Sequence, residues 1–283
     1  MCSENHNFYP YIEGCETKRT NISGSSGIDT ILLAWHKDIA KRSKAVLSRM
    51  RYAVIERMNA SIDRSQIESL IDEYESALHE EYDGDWYDKY IDMIIMAGLV
   101  RSATLLESKR TEIKEVFPKD LIKEKGHIND STIKYHELAI QKAVADLRNA
   151  MNEDYERSIV EEDFNFKPYE TIENTHKKDI ENSYNATAEV SGVGMLNQTM
   201  ITAFVINEVT HFKILTNDPC PVCERLAQGD YTVEQVFEYD HTIEAMEDVT
   251  GRPQNSAKRY YAENPYIGMI PVHVNCRCSW SIL

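Results

Sequence analysis

Apolar residues recur every three or four positions over most of the first 160 residues, which is the spacing that lines one face of an α-helix. In the first such stretch these residues are Leu32, Trp35, Ile39, Val46, Met50 and Val54. Four helices are predicted, over residues 29–64, 65–83, 85–114 and 131–157. Ser65 and Glu68 have the spacing of a capping box that opens the second helix, and Gly84 ends it. We therefore expect a mainly helical N-terminal region.

The pattern changes in the second half of the chain. Residues 158–180 are polar and acidic, and a further helix is expected over residues 186–209. Residues 211–216 and 272–283 alternate between polar and apolar positions, as a half-buried β-strand does. We expect these two segments to pair in a small antiparallel sheet. The predicted fold class is mainly α, with a small α+β C-terminal domain.

Four segments follow from these patterns. Residues 1–28 contain clustered Gly, Ser and Pro and are predicted to be a flexible or extended arm. Residues 29–157 are predicted to form a helical domain and residues 158–180 a connector. Residues 181–283 are predicted to form the α+β domain.

The composition is that of an ordinary soluble protein. The 283 residues are 42% hydrophobic and 28% charged, with only 11 glycines and 8 prolines. The longest apolar run, around residues 93–100, is far shorter than the roughly 20 residues that a membrane helix needs. The first ten residues lack the basic and apolar regions of a secretory signal, so we expect a reducing cytosol.

The net charge of −16 opposes general binding to a nucleic-acid backbone. One basic stretch stands out, formed by Lys41, Arg42, Lys44, Arg49 and Arg51. It is followed by a strongly acidic stretch over residues 72–88. Two interpretations remain open: solvated helix faces, or complementary surfaces that dock onto a partner or join copies of the chain.

Four of the six cysteines form two tight pairs. Cys220 and Cys223 form a C-x-x-C turn, which lets two thiolates meet one metal ion at about 2.3 Å. A second cluster contains His273, Cys276 and Cys278. Together these residues predict one zinc site that staples the small sheet. The remaining cysteines, Cys2 and Cys15, are interpreted as free thiols.

Zinc has four ligands in a structural site, and the sequence offers five candidates. We favour Cys220, Cys223, His273 and Cys276, with Cys278 as the nearest substitute. Such a site would be closed, so its role would be structural. Two alternatives remain: reduced cysteines that pack as small apolar side chains, and disulfides, which the expected cytosolic compartment disfavours.

The two cysteine motifs resemble those of tailed-phage minor head proteins, the head morphogenesis (Mu F-like) family. The first segment, residues 216–229, is TNDPCPVCERLAQG, and the second, residues 270–278, is IPVHVNCRC. The resemblance covers the C-terminal third of the chain. Val274 and Ile270 depart from it, because the family usually has proline there.

The resemblance implies a structural component of the virion and not an enzyme. Proteins of this family bind the portal inside the capsid and assist head assembly, DNA packaging or ejection. The implied partners are the portal protein, the major capsid or scaffold protein and packaged DNA, with no membrane during assembly. The implied location is the capsid interior near the portal, and the host cytoplasm during assembly.

Other functions remain as alternatives. A nucleic-acid-binding zinc module would use the basic and aromatic residues Arg225, Arg252, Lys258, Arg259, Arg277, Tyr260, Tyr261 and Tyr266. A zinc deaminase would need a H-x-E or C-x-E motif upstream of Cys220. Of the histidines considered, only His79 is followed by suitable glutamates, and it lies in a predicted helix far from Cys220. A toxin or nuclease with the zinc motif as scaffold is a further alternative. The lone histidines His36, His136 and His241 are expected on surfaces or helix faces.

Overall fold

The computed structural model of the chain describes residues 27–58, 63–108, 119–161, 165–216, 219–263, 276 and 278–283. Side chains are described for these residues except 58, 119–124, 260 and 263. The predicted arm lies outside the described residues up to position 26, and its last two residues begin the first helix.

Within these ranges the chain forms ten α-helices, one π-helical turn and a three-stranded antiparallel sheet. The helices are α1 (Gly27–Met58), α2 (Arg64–Tyr82), α3 (Asp88–Ser108), α4 (Lys119–Val160), α5 (Pro168–Thr175), α6 (Asn182–Ile206), α7 (Pro221–Leu226), α8 (Val233–Val236), α9 (Asp240–Thr250) and α10 (Asn255–Glu263). The π-turn (His176–Glu181) lies between α5 and α6, and the strands are β1 (His211–Leu215), β2 (Asp230–Thr232) and β3 (Ser279–Ile282). The predicted mainly helical fold with a small C-terminal sheet is confirmed.

The periodicity located the helices better than it located their ends. Helices α1, α2 and α3 begin within three residues of the predicted starts. Helix α4 begins at Lys119, twelve residues before the predicted start, and runs through Gly126. Gly126 is exposed and has open space around it, so it costs the helix only about 1 kcal/mol relative to alanine and does not end it.

Helix α2 begins with a capping box two residues earlier than predicted. Asp63 accepts a hydrogen bond from the backbone N–H of Gln66 (3.0 Å), and the Gln66 side chain accepts one from the backbone N–H of Asp63 (2.9 Å). Ser65 donates its hydroxyl to Asp63 (2.7 Å), and this bond together with the Gln66 N–H lowers the pKa of the Asp63 carboxyl. The predicted box at Ser65 and Glu68 is therefore wrong.

Strand β1 is the centre of the sheet, antiparallel to β2 on one side and to β3 on the other. Phe212 of β1 lies opposite Tyr231 of β2 and Ile282 of β3. Trp280 of β3 contacts Phe212 and Tyr231, with ring centroids 6.3 and 5.7 Å apart. Phe204 of α6 packs on Phe212 (6.2 Å). The predicted pairing of the last strand with residues 211–216 is confirmed, whereas β2 was not predicted.

The chain divides into two compact units. Unit 1 comprises the described residues up to Leu33, Asp88–Thr132 and Ala188–Leu283, and unit 2 comprises Ala34–Tyr87 and Ile133–Thr187. Each unit is thus assembled from segments that are far apart in the sequence. The domain boundaries expected from the sequence stay predictions, because compactness does not establish which segments fold independently.

Two glycines allow the helices of unit 1 to pack closely. A Cβ atom on Gly192 of α6 would lie 2.7 Å from Cδ2 of Leu32 in α1 and 3.1 Å from Cδ1 of Ile94 in α3. A Cβ atom on Gly98 of α3 would lie 2.8 Å from Cγ2 of Thr199 in α6. Both glycines therefore sit at helix contacts that a larger residue would force apart.

The core of unit 2 contains aromatic rings around a buried histidine. His136 of α4 stacks on Tyr184 and Trp86, with ring centroids 4.0 and 5.9 Å away, and Tyr87 meets it edge-on at 5.7 Å. Burial lowers the pKa of His136 to about 3, so the ring is neutral at pH 7. His136, which we expected on a surface or a helix face, thus lies on a helix but faces the core.

A second buried histidine opens the π-turn of unit 2. Nδ1 of His176 lies 3.1 Å from the hydroxyl oxygen of Tyr74, and burial lowers the pKa of His176 to about 4. Asp179, in the same turn, is buried and pairs with the ammonium of Lys142 from α4. Part of the polar segment that we predicted as a connector therefore faces the core of unit 2.

The basic stretch of α1 pairs with the acidic stretch of α2 inside unit 2. The guanidinium of Arg49 lies 2.6 Å from the carboxylate of Glu80 and 3.7 Å from that of Glu73. Arg42 lies over the ring of Trp86, 4.6 Å from its centroid. These charges stabilise contacts within one chain, which neither of the two sequence interpretations included.

Candidate metal centre

The first two cysteines lie at the start of helix α7. Cys220 is the N-cap residue in an extended conformation, and its sulfur accepts a hydrogen bond from the backbone N–H of Cys223 (3.4 Å). Pro221 occupies the first helical position, where a missing N–H costs nothing. This turn places Cys223 in the interior, where it is 2% exposed.

The second pair of cysteines lies just before strand β3 in the chain. Cys276 and Cys278 are both buried. The sulfur of Cys276 lies 3.9 Å from that of Cys223, although 53 positions separate the two residues. The sulfurs of Cys223, Cys276 and Cys278 all lie within 4.8 Å of one another. The two cysteine motifs of the sequence therefore meet in space.

Asn197 of α6 fixes the second pair. Its Nδ2 donates to the carbonyl of Cys278 (3.2 Å), and its Oδ1 accepts a hydrogen bond from the N–H of Trp280 (3.2 Å). These two backbone groups belong to the outer edge of the sheet, so the buried amide takes the place of a neighbouring strand. The sequence did not single out Asn197, because its partners lie more than 80 positions away.

Tyr261 of α10 forms another wall of the cluster. Its side chain is fully buried, and burial together with the nearby Cys276 and Cys223 raises the pKa of its hydroxyl. Its ring stacks on Tyr239 with centroids 5.4 Å apart. The segment between the two cysteine motifs thus contributes a side chain that we had considered only for base stacking.

Crowding changes the acidity of the thiols. The contacts with Cys220, Cys276 and Cys278, together with burial, raise the pKa of Cys223. A hydrogen bond with Cys223 lowers the pKa of Cys278. Contact with Cys276 and burial raise the same pKa by more, so the pKa of Cys278 lies above its usual value. Several thiolates in one buried site repel one another, and they ionise together only when a cation compensates their charge.

This donor set fits a metal ion that prefers sulfur ligands, such as zinc. The buried group of three cysteines could hold such an ion. Of the five predicted ligands, the structure brings Cys223, Cys276 and Cys278 together and places Cys220 beside Cys223. His273 lies outside the described residues, as do Cys2 and Cys15. The complete ligand set stays a prediction.

Two basic residues considered for nucleic-acid binding are paired with acidic residues of α9. The guanidinium of Arg225 lies 3.6 Å from the carboxylate of Asp248, and the ammonium of Lys258 lies 2.8 Å from that of Glu247. Arg277 lies outside the described residues. The positive charge near the cluster is therefore partly compensated within unit 1.

The histidines considered for a deaminase lie in other surroundings. His79 lies in the last turn of α2, and His176 is buried in the π-turn with its Nδ1 3.1 Å from the Tyr74 hydroxyl. Nδ1 of His211 lies 2.9 Å from the hydroxyl of Thr210, on an exposed part of the sheet. The ligand atoms that the structure gathers at the cluster are thiols.

No protein-family model, curated protein or solved structure matches this chain. The resemblance to minor head proteins therefore depends on the two cysteine motifs themselves. In the parts of the chain that the structure describes, every helix is too short or too polar to cross a membrane.

Proposed function

We propose that this protein is a structural minor head protein of a tailed bacteriophage and that one zinc ion holds its C-terminal part together. It would associate with the portal inside the capsid and assist head assembly, DNA packaging or ejection, without a catalytic role. The observation that supports this proposal is the meeting of the two motifs that carry the resemblance, since Cys223 of the first lies against Cys276 and Cys278 of the second.

Burial supports a structural and not a catalytic metal. Cys223, Cys276 and Cys278 are each at most 3% exposed. A catalytic zinc keeps one position open to substrate, whereas a structural zinc is enclosed by four protein ligands. We propose Cys220 or His273 as the fourth ligand, and the sulfur of Cys220 already lies beside Cys223.

The small sheet explains why a metal would be needed. Strand β2 has three residues and β3 has four, so the strands make few hydrogen bonds with β1 and the sheet depends on packing against α6. A zinc ion would join α7 to the segment that enters β3. The metal would then supply folding free energy that the short strands do not.

Charge favours a protein partner over nucleic acid. The net charge of the chain is −16, and Arg225 and Lys258 already pair with Asp248 and Glu247. Portal protein is the expected main partner, with major capsid or scaffold protein as further contacts. Packaged DNA would lie close to the protein in the particle, but the negative charge of the chain disfavours direct binding to it.

The metal is tested on the purified full-length chain by elemental mass spectrometry. We expect one zinc ion per chain, and its loss in Cys223→Ser, Cys276→Ser and Cys278→Ser. Cys15→Ser is the matched control and should keep the zinc. Comparing Cys220→Ser with His273→Ala identifies the fourth ligand. A chain without metal after purification in zinc-containing buffer would contradict a zinc site.

The role in the virion is tested on particles of the phage that encodes this chain. Quantitative mass spectrometry should find a low copy number, comparable with that of the portal protein and far below that of the major capsid protein. Loss of the protein after triggered DNA ejection would identify it as an injected factor. Its absence from purified particles would overturn the proposal, whatever its metal content.

A further inference from the structure

An apolar groove lies at the start of α1 in unit 1. It holds about 580 Å³. The residues that matter for its chemistry are Gly27 and Ile28 of α1, Met96, Val100 and Arg101 of α3, and Leu196 of α6. The groove is separate from the thiol cluster, whose cysteines are absent from its walls.

Helix α3 is apolar on two faces. One face packs into unit 1 through residues such as Ile91 and Ile94, which are fully buried. On the other face Met93, Met96 and Val100 are 49%, 55% and 64% exposed. These three residues follow helical spacing and form one apolar stripe beside the groove. A contiguous exposed apolar patch of this kind marks a binding surface, and methionine adapts readily to a partner's shape.

The N-terminal segment of the same chain could bind in this groove. Gly27 lines the groove, so the preceding residues are tethered to its wall. Residues 8–12 have the sequence Phe-Tyr-Pro-Tyr-Ile, an apolar and aromatic run that matches the apolar stripe. The Arg101 guanidinium of the groove already donates to the Ser279 hydroxyl (2.7 Å) and interacts with Asp29, so the apolar side chains carry the fit. Aromatic side chains bury much apolar surface with little loss of side-chain entropy.

The tether is long enough. Fourteen residues separate Ile12 from Gly27 and include Gly and Ser over residues 23–26. A segment of fourteen residues can span at most about 45 Å. The stripe from Met93 to Val100 is only about 10 Å long, at 1.5 Å per helical residue. A tethered segment also has an effective concentration in the millimolar range, which favours it over a free competitor.

We infer that the groove along α3 binds residues 8–12 of the same chain. This inference is independent of the zinc and of the virion role. Any partner that uses the stripe of α3 must first displace the arm, so the arm sets the affinity of that surface.

Site-specific photo-crosslinking tests the inference on the full-length protein. Met96 is replaced by benzoylphenylalanine, an exposed position where the helix tolerates a large side chain, and the irradiated protein is digested and mapped. We expect adducts with residues 8–12. A mixture of isotopically light and heavy protein shows whether both peptides come from one chain. The same probe at Phe237, exposed in unit 1, is the control and should give no adduct with the arm.

The outcomes are distinct. Adducts within one chain at residues 8–12 support the inference. Adducts that join light and heavy chains would show that a second copy occupies the groove and would overturn it. Adducts confined to other segments, or no adduct with the arm, would overturn it as well.

A competition measurement gives an independent result. A fluorescent peptide of residues 4–16 is titrated into the full-length chain and into the double variant Tyr9→Ser, Tyr11→Ser. The variant should bind the peptide at least about tenfold more tightly, because its own arm no longer fills the groove. Adding Met96→Glu to the variant should abolish binding. Equal affinities in the wild type and the double variant would contradict the inference.

Discussion

Units 1 and 2 differ in the kinds of side chain that they bury. Unit 2 is filled by large side chains, and Trp35, Tyr74, Tyr87 and Tyr184 are all almost fully buried. Each such residue contributes several kcal/mol through burial and packing. The C-terminal part of unit 1 has strands of three to five residues and a group of thiols that repel one another when ionised. The C-terminal part of unit 1 also has a buried apolar core, which includes Phe204, Phe212 and Trp280, so a metal ion at the thiol cluster would add to side-chain packing there.

Breaking the thiol cluster should have the largest effect. Cys223→Ser should release the metal and cost on the order of 10 kcal/mol, the contribution of a structural zinc to folding. Hydrogen exchange of the full-length variant should lose protection over β1 to β3 and α7, while unit 2 keeps its protection. A strong chelator should reproduce this pattern in the wild type. Cys15→Ser is the control, and unchanged protection of β1 in Cys223→Ser would contradict the comparison.

Breaking the core of unit 2 should give the opposite pattern. Trp35 stacks on Tyr87 with ring centroids 6.2 Å apart and is completely buried. Trp35→Ala should cost about 3–5 kcal/mol, because a large cavity replaces the ring. Denaturation of the full-length chain should show lower stability of unit 2 with the zinc content unchanged. Simultaneous loss of zinc would show that the two units are not energetically distinct.

Acidification should lower the free energy of unfolding of unit 2, because two buried neutral histidines belong to that unit. The pKa of His136 is about 3 and that of His176 about 4, both below the value of about 6.5 in an unfolded chain. The unfolded state therefore binds more protons below pH 6.5. The stability from the neutral histidines is present above that pH and is lost as the pH falls toward 3–4. From pH 7 to pH 5 unit 2 should lose about 2 kcal/mol for each histidine.

Tryptophan fluorescence can isolate this effect. The chain has three tryptophans, and Trp280→Phe leaves Trp35 and Trp86 as reporters of unit 2. Denaturant titrations of this variant at pH 7 and pH 5 give the change in stability. Adding His136→Phe, which fits the aromatic surroundings, should remove about half of the pH dependence. An equal pH dependence with and without His136 would count against the neutral buried histidine.

A smaller change should follow from the loss of Asn197. Asn197→Leu leaves the N–H of Trp280 and the carbonyl of Cys278 without their side-chain partner, which costs about 1–3 kcal/mol. The amide of Trp280 should exchange faster, with zinc retained. Asn197→Asp keeps an acceptor for Trp280 and should protect this amide better than leucine does. Identical exchange in both variants would refute a specific role for the acceptor oxygen.

The smallest effect is expected at the surface of unit 2. Arg49 is 38% exposed and pairs with Glu80 and Glu73. Arg49→Ala should change the stability by less than about 1 kcal/mol, as exposed ion pairs do, and the change should shrink at high salt. A change in the oligomeric state of the protein in solution would instead indicate that Arg49 lies at a contact between copies of the chain.

The sequence could predict what depends on neighbouring residues. Helical spacing located α1 to α3, and alternation located β1 and β3 and their pairing. The spacing of Cys220 and Cys223, and of His273, Cys276 and Cys278, predicted that the two motifs meet at one metal site, and the structure brings Cys223, Cys276 and Cys278 together. The sequence ranked Cys278 behind His273, which lies outside the described residues. These features need only a periodicity or a short motif.

What depends on distant residues could not be predicted. Strand β2 is three residues long and has no alternation of its own, since its place is set by pairing with β1. The inward-facing π-turn looks polar in sequence, because His176 and Asp179 find Tyr74 and Lys142 only in the folded unit. Asn197 is likewise indistinguishable from an ordinary helical asparagine until its partners in β3 are placed beside it.

The position of Asn197 also bears on how the protein behaves at high concentration. An open strand edge is a template on which another chain can add a strand and begin an aggregate. The outward N–H of Trp280 and carbonyl of Cys278 are both occupied by the same buried amide, so the β3 side offers no such template at this point. One side chain of α6 thereby satisfies the outward polar groups of a strand whose four residues are all buried.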